Sequence, residues 1–119
     1  MENICSPATP EACREALSEH LRPELFRALC DPRRIAVICR LAAVSGPLTV
    51  TEVADCCGVH ISGVSRHLAT LRDAGVVRAD KRGREVRYRL DCEHLSATLR
   101  GLAAAFDGCR AGCCQGEPT

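Results

Sequence analysis

Apolar residues recur at a helical spacing in the second half of the stretch 49–75, whose sequence is TVTEVADCCGVHISGVSRHLATLRDAG. Ile61, Val64, Leu68 and Leu71 stand at i, i+3, i+7 and i+10, which places them on one stripe of a helix. This pattern predicts a helix that buries all four side chains.

A shorter helix is predicted directly before it. Thr49 can cap this helix, and Glu52, three residues later, can complete a capping box. Gly58 is expected to end it, since glycine adopts the left-handed conformation that closes helices. Residues 58–60 then form the turn of a helix-turn-helix motif.

The face of the second helix opposite its apolar stripe is small, polar and cationic. A protruding helix with such a face fits the major groove of DNA, where hydroxyl and guanidinium groups meet base edges and phosphates. The candidate DNA contacts on this helix are Ser62, Gly63, Ser65, Arg66, His67 and Thr70. An ordinary amphipathic helix with a solvated face shows the same pattern, so the helix alone leaves both interpretations open.

The period of the apolar residues changes after the second helix. Residues 76–81 and 84–90 predict the two strands of a β-hairpin, and in the second strand apolar residues alternate with charged ones. Its tip carries Lys81, Arg82 and Arg84, which we expect to contact phosphates or the adjacent minor groove, as a wing does. A solvated hairpin edge protected by charge is the alternative.

The predicted fold is mostly α with a β-hairpin wing, that is, a winged helix-turn-helix. Four further helices are predicted, at 11–21, 23–29, 32–44 and 92–107. In the second and third of these, Phe26 and Ile35 are expected to face inward. The last has an apolar stripe that suits pairing with a second copy, formed by Leu95, Leu99, Leu102 and Phe106. We therefore expect a two-fold homodimer that places two recognition helices on a palindromic DNA site.

Composition is consistent with one folded domain, because 46% of the 119 residues are apolar and 26% are charged. The expected division is a flexible arm at 1–10, the DNA-binding and dimerisation domain at 11–108, and a cysteine-containing tail at 109–119. The net charge is only +1. Between Ile61 and Leu90, however, there are eight Lys and Arg residues but only three Asp and Glu residues, an asymmetry that is typical of a DNA-facing surface.

Several classes of protein are not expected from this sequence. No window is long and apolar enough to span a membrane, and the N-terminus lacks the pattern of a signal peptide, so we expect a cytoplasmic protein. We do not expect an enzyme, because the sequence shows no paired acids, no nucleophile–base pattern and no phosphate-binding loop.

Ten cysteines are unusual in a chain with no export signal. Cytosolic thiols stay reduced, so metal binding or redox chemistry explains them better than a disulfide framework. We expect Cys30 and Cys39 to be ordinary core residues. The candidate metal ligands are Cys56 and Cys57 at the end of the short helix and Cys109, Cys113 and Cys114 in the tail. Thiolates favour soft ions, namely As(III), Sb(III) or Hg(II), and less so Cd(II) or Pb(II).

Three segments resemble the ArsR/SmtB-type family of winged helix-turn-helix metalloregulatory repressors. They are LFRALCDPRRIAVICRLA, VTEVADCCGVHISGVSRHLATLRDAGVV and KRGREVRYRL, and the resemblance covers roughly residues 21–107. It implies a homodimer built on the first and last helices, which holds an operator when metal-free and is released when metal binds. The regulated genes would form a metal-resistance operon.

The family resemblance also bears on the inducer. Zinc sensors of the family start their last helix with Asp-x-His, whereas Asp91 and His94 are spaced differently here. Sensors of arsenic and other soft ions use cysteines around the first helix of the DNA-binding motif, where Cys56 and Cys57 lie, although a few residues later than usual. We expect at least one tail cysteine to complete the site, from either subunit.

Two other functions remain open at this point. One is a repressor on the same fold that senses oxidants or sulfur species through a disulfide or polysulfide, for example between Cys57 and a tail cysteine. The other is a metal-storage or thiol-transfer protein that never binds DNA.

Overall fold

The computed structural model describes residues 9–57 and 60–113 of the chain, and the side chains of residues 9–55 and 60–109. The elements are α1 (Pro10–His20), α2 (Pro23–Leu29), α3 (Pro32–Ala43), β1 (Leu48–Thr49), α4 (Val50–Cys57), α5 (Ile61–Asp73), β2 (Val77–Arg82), β3 (Glu85–Leu90) and α6 (Cys92–Cys113). They belong to two compact units, residues 23–95 and residues 1–22 with 96–119. The predicted fold, mostly α with a hairpin wing, is confirmed.

The core of the larger unit is centred on α5. Val64, Leu68 and Leu71 are fully buried on it, as the apolar spacing predicts. The other members of this core come from every element between α2 and β3 except β1, and they are Leu25, Ala28, Val37, Leu41, Val53, Ala74, Val76, Val77 and Tyr88. Because α5 is anchored along one side by this core, its opposite face is held in a fixed direction.

The short helix α4 begins with the predicted capping box. The backbone N–H of Glu52 donates to the Thr49 hydroxyl at 3.2 Å, and the backbone N–H of Thr49 donates to the Glu52 carboxylate at 2.9 Å. The hydrogen bond from the Thr49 backbone is the main reason why the pKa of Glu52 lies below its ordinary value. The predicted helix end at Gly58 lies outside the described residues.

Three antiparallel strands form the sheet, in the order β1-β3-β2. In the hairpin, Val77 pairs with Leu90 and Arg82 pairs with Glu85. Gly83 has a φ of 63°, the left-handed conformation that the tight turn between the strands requires. The short strand β1, which pairs Leu48 with Tyr88, was not predicted, because two residues are too few to show a period.

The smaller unit contains α1 and most of α6. The Thr9 hydroxyl caps α1 by accepting a hydrogen bond from the Ala12 N–H at 3.1 Å. Further along, the ring of His20 lies so close to Gly101 that a Cβ added there would stand 3.0 Å from it. The His20 ring therefore packs against α6 at Gly101, and a side chain at this position would require the ring to shift by a few tenths of an ångström.

Parts of the predicted core are wrong. Phe26, Ile35 and Ile61 are 38%, 46% and 45% exposed, although each was expected to face inward. In α2 and α3 apolar residues occur on more than one side, so the sequence allows several overlapping stripes, and the buried ones contain Leu25 and Val37 instead. Ile61 is the first residue of α5, one turn before the part of the helix that the core surrounds.

The last helix is longer than predicted. It continues to Cys113 and does not end at Asp107, because no proline interrupts the alanine-rich sequence after Leu102. Cys109 and Cys113 consequently belong to α6. The division into arm, domain and tail stays a prediction, and the predicted arm lies almost entirely outside the described residues, as does Cys114.

Candidate nucleic-acid interface and thiol sites

The start of α5 is determined by His60. Its Nδ1 accepts a hydrogen bond from the Ser62 N–H at 3.4 Å and lies 3.1 Å from the Ser62 hydroxyl. This side chain thus replaces the Ser, Thr or Asp that usually caps a helix. It also fixes the orientation of the first turn, which carries the predicted DNA contacts.

The predicted contact residues on α5 lie on its solvent side. Ser62, Ser65, Arg66 and Thr70 are exposed, whereas Gly63 and His67 are half-buried. Small residues and hydroxyl groups alternate with one guanidinium group, and no carboxylate lies on this side before Asp73. The arrangement leaves the helix able to approach a polyanion closely.

A hollow of about 450 Å³ lies beside this face. Its lining consists of three arginines, two histidines and three small or hydroxyl residues, namely Arg33, Arg34, His60, Ser62, Gly63, Arg66, His67 and Thr70. None of the described residues that line it is acidic, so the hollow is a site of positive potential. We call it the cationic hollow.

The arginines of α3 have different roles in this hollow. Arg34 donates hydrogen bonds to the Ala28 and Arg27 carbonyl groups at 2.9 and 3.0 Å and lies 3.7 Å from the Asp31 carboxylate. These contacts hold its guanidinium in place. Arg33 is exposed and has no carboxylate partner among the described residues. It can therefore reach for a bound anion.

The first turn of α3 is capped by Asp31. Its carboxylate accepts a hydrogen bond from the Arg33 N–H at 2.8 Å, and this bond lowers the pKa of Asp31. Arg33, Arg34 and His60 line the cationic hollow, although none of them was predicted from the sequence as a DNA contact. The adjacent arginines after Asp31-Pro32 were a visible signal, but their nearness to α5 depends on the tertiary fold.

His67 is the half-buried histidine of the cationic hollow. Burial lowers its pKa first, and the nearby cations Arg34, Arg33 and Arg66 lower it further, against the opposing effect of Asp31. The imidazole is therefore mostly neutral at pH 7. A phosphate group placed in the hollow would favour the protonated form, because opposite charge stabilises the imidazolium.

The tip of the hairpin carries the other predicted contacts. Lys81, Arg82 and Arg84 are all exposed. Arg82 lies 3.6 Å from the Asp80 carboxylate, whereas Lys81 and Arg84 have no acidic partner within the described part of the chain. Two cations at the tip are thus available for an external anion.

The predicted metal ligands are only partly described. Cys56 and Cys57 are the last two residues of α4, and Cys113 is the last residue of α6, but their side chains lie outside the described residues. The side chain of Cys109 is half-buried, and its thiol donates to the Cys13 carbonyl group at 3.8 Å. Among the side chains that the structure describes, no three Cys, His, Asp or Glu residues form a metal site.

The remaining described cysteines differ from expectation. Cys30 and Cys39 are exposed, so the prediction that they are core residues is wrong. Cys39 lies on a side of α3 that the buried stripe leaves outward, whereas Cys30 lies in the turn after α2, where its thiol donates to the Arg27 carbonyl group at 3.3 Å. Cys92 is exposed as well.

Comparison with known proteins decides the family. Residues 24–79 match a family described as a helix-turn-helix domain. The transcriptional repressor SmtB of Mycobacterium tuberculosis is 44% identical over 73 residues, which are 61% of this chain and 53% of that protein. The transcriptional regulator CmtR of the same organism is 37% identical over 86 residues, 72% of this chain and 71% of that protein. A crystal structure of an ArsR family transcriptional regulator matches with a TM-score of 0.60 and 33% identity, over 76% of this chain and 90% of that one.

The chain belongs to the ArsR family of transcriptional regulators. The resemblance inferred from its sequence motifs is thereby confirmed, as is the winged helix-turn-helix in which α5 is the second helix of the motif and β2–β3 is the wing. The aligned part of the chain spans about half the length of SmtB. Within the described residues, no helix has the length and apolar character needed to cross a bilayer.

Proposed function

We propose that this ArsR family member is a metal(loid)-responsive transcriptional repressor. It binds operator DNA as a homodimer when metal-free and leaves the operator when a soft thiophilic ion binds to its thiolates. The observation that carries the DNA-binding part of the proposal is the cationic hollow, which has no acidic lining and lies along the exposed face of α5.

In the proposed complex, α5 enters the major groove. The hydroxyl groups of Ser62, Ser65 and Thr70 face base edges, and Gly63 allows close approach of the backbone. A backbone phosphate occupies the cationic hollow next to Arg33, Arg66 and His67. Lys81, Arg82 and Arg84 contact the flanking phosphates, which adds affinity but little sequence choice.

The proposed dimer uses the first and last helices. On α6, Leu99 and Phe106 are 43% and 49% exposed. Leu21, the residue directly after α1, is 39% exposed. Exposed side chains of this size are costly in water, and a second copy would cover them. A two-fold dimer also presents two α5 helices to a palindromic operator.

The proposed inducer is a soft ion, As(III), Sb(III) or Hg(II), and less readily Cd(II) or Pb(II). Support comes from the position of Cys56 and Cys57, at the end of α4 and four and three residues before the cap of α5 at His60. An ion held there by these thiolates and by Cys109, Cys113 or Cys114 would strain the connection between the two helices of the motif. Such strain would misplace α5 for its half-site.

One alternative has a specific observation in its favour. The exposed thiols of Cys30, Cys39 and Cys92 would be accessible to oxidants or sulfur species. A repressor that senses these through a disulfide or polysulfide therefore remains the second candidate function.

A titration of the protein–DNA complex tests the proposal. DNA from upstream of the chain's own gene is bound by the full chain, and As(III), Hg(II), Cd(II), Zn(II), hydrogen peroxide and inorganic polysulfide are added in parallel. Release by soft ions but not by peroxide or polysulfide, with As(III) release lost in Cys56→Ser and Cys57→Ser but kept in Cys39→Ser, supports the metal sensor. Release by peroxide or polysulfide alone supports the alternative, and failure to bind this DNA at any salt concentration contradicts both.

A further inference from the structure

The smaller unit contains a second pair of cysteines, Cys13 on α1 and Cys109 on α6. Cys13 is only 7% exposed, and Cys109 is half-buried. The thiol of Cys109 points at α1, since its hydrogen bond goes to the carbonyl group of Cys13 at 3.8 Å. The two residues stand 96 positions apart in the chain, so the fold brings them together.

Both cysteines line one cavity of about 190 Å³. Its other described walls are four alanines and Gly108, and none of the described side chains that line it is charged. A volume of this size exceeds the space of about 30 Å³ that one water molecule occupies in the liquid, so a single metal ion fits without displacing a helix. Among the described side chains of the lining, sulfur is the only ligand atom.

We propose that Cys13 and Cys109 bind Hg(II) as a two-coordinate bis-thiolate in this cavity. Both thiols lose a proton, two Hg–S bonds form, and the oxidation state of the metal does not change. Two thiolates neutralise Hg(II) completely, and a neutral complex is the one that an uncharged, alanine-lined cavity accepts at least cost. Two protons are released for each ion bound, so the affinity falls as the pH falls.

Coordination number and charge separate Hg(II) from the other soft ions. As(III) requires three thiolates for neutrality, and Zn(II) takes four ligands in structural sites, whereas the described side chains of the cavity lining supply two. Cu(I) between two thiolates would leave a buried negative charge. The cavity therefore selects a divalent ion that is satisfied by two sulfurs.

This inference rests on the proposed function only for its consequence. It pairs Cys109 with Cys13 at the mercury site. Cys113 and Cys114 then remain as the tail cysteines that would share an ion with Cys56 and Cys57. The bound Hg(II) would join α1 to the end of α6 within one protomer, in the elements proposed to form the dimer. The chain would then respond to Hg(II) through one site and to As(III) through another.

The test is a competition titration on the full chain. One equivalent of Hg(II) is added in the presence of increasing glutathione, and the mercury–sulfur charge-transfer absorption reports the bound ion. Cys109→Ser and Cys13→Ala are expected to weaken retention of Hg(II) more than about 100-fold, because each removes one of only two ligands. Cys30→Ser and Cys39→Ser, at exposed cysteines of the other unit, should change it less than about 3-fold.

Cys13→Ala keeps a small apolar side chain in the core, and far-ultraviolet circular dichroism confirms that each variant is folded. If the Cys13 variant does not fold, Cys109→Ser and mercury-edge X-ray absorption of the unaltered chain decide the question. Two sulfur ligands in linear geometry support the assignment. Three or more sulfurs at one equivalent, or unchanged Hg(II) retention in Cys109→Ser, overturn it.

Operator release, measured on the same variants, separates this inference from the proposed function. Variants that lose Hg(II) release but keep As(III) release support both. Tight Hg(II) binding at Cys13 and Cys109 with no operator response to any ion would contradict the repressor proposal and leave the mercury site intact. Operator release by Hg(II) that persists in both variants, together with unchanged Hg(II) retention, would contradict the mercury site and leave the repressor proposal intact.

Discussion

Arg66→Gln should reduce the salt dependence of operator binding. Arg66 is exposed, lines the cationic hollow and has no carboxylate partner among the described residues. A guanidinium in that position neutralises a backbone phosphate and releases a condensed counterion from the DNA. Glutamine keeps the length and polarity of the side chain but removes its charge.

The structure sets the size of the effect. In the cationic hollow and the tip of the wing, four exposed cations lack an acidic partner within the described residues, namely Arg33, Arg66, Lys81 and Arg84. A homodimer offers twice as many, so the slope of log K against log salt should be about −7, at about −0.9 for each neutralised phosphate. Arg66→Gln removes one contact from each protomer and should bring the slope to about −5. At about 0.15 M salt this corresponds to an affinity loss of about 30-fold.

Fluorescence anisotropy of labelled operator DNA between about 0.05 and 0.4 M salt measures the slope. Arg33→Gln should give the same reduction, although Arg33 belongs to α3. Arg72→Gln is the matched control, because Arg72 lies at the other end of α5 and pairs with Asp73 at 3.3 Å. A slope that Arg66→Gln leaves unchanged, or that Arg72→Gln lowers equally, would refute the assignment of the hollow to a phosphate.

Three further predictions concern stability and pH. Thr49→Ala should lower the free energy of unfolding by about 1 kcal/mol in urea denaturation, because it removes the hydroxyl that accepts the Glu52 N–H but keeps the backbone N–H that donates to the Glu52 carboxylate. The stabilisation that comes from this carboxylate, whose pKa is lowered, is present at neutral pH and should be lost as the pH falls through that lowered pKa. Leu68→Ala should cost about 2–5 kcal/mol, since Leu68 is fully buried, whereas Ile61→Ala on the same helix should cost under about 1 kcal/mol; equal losses would contradict the packing of α5. Operator affinity should rise as the pH falls from about 7.5 to about 6. The pKa of His67 is lowered in the unbound protein, and a phosphate in the hollow favours the protonated form of its ring. His67→Gln should therefore abolish the rise in affinity.

Local periodicity was enough to predict most of the fold. The spacing of Val64, Leu68 and Leu71 predicted α5, and the Thr49–Glu52 pair predicted the start of α4, because both signals act over a few residues. The wing followed from alternation and from its glycine turn. The short strand β1 could not be predicted, since it exists only through its pairing with β3.

The surroundings of the site could not be predicted in the same way. Arg33 and Arg34 line the cationic hollow because α3 packs beside α5, and nothing in the pattern of either helix expresses that contact. The pairing of Cys13 with Cys109 is of the same kind, since it joins the two ends of the chain. Exposure was also misjudged at Ile35 and Phe26, where several apolar stripes compete and only the tertiary packing selects one.

The central claim is that operator DNA and a soft ion bound by cysteine thiolates oppose each other energetically. Coupling of this kind is reciprocal, so the operator must weaken ion binding by the same factor by which the ion weakens operator binding. The direct measurement is the Hg(II) and As(III) affinity of the full chain, with and without saturating operator, under the same glutathione competition. The account predicts ion binding about 5- to 150-fold weaker on the operator. Equal affinities in the two states, for both ions, would contradict it.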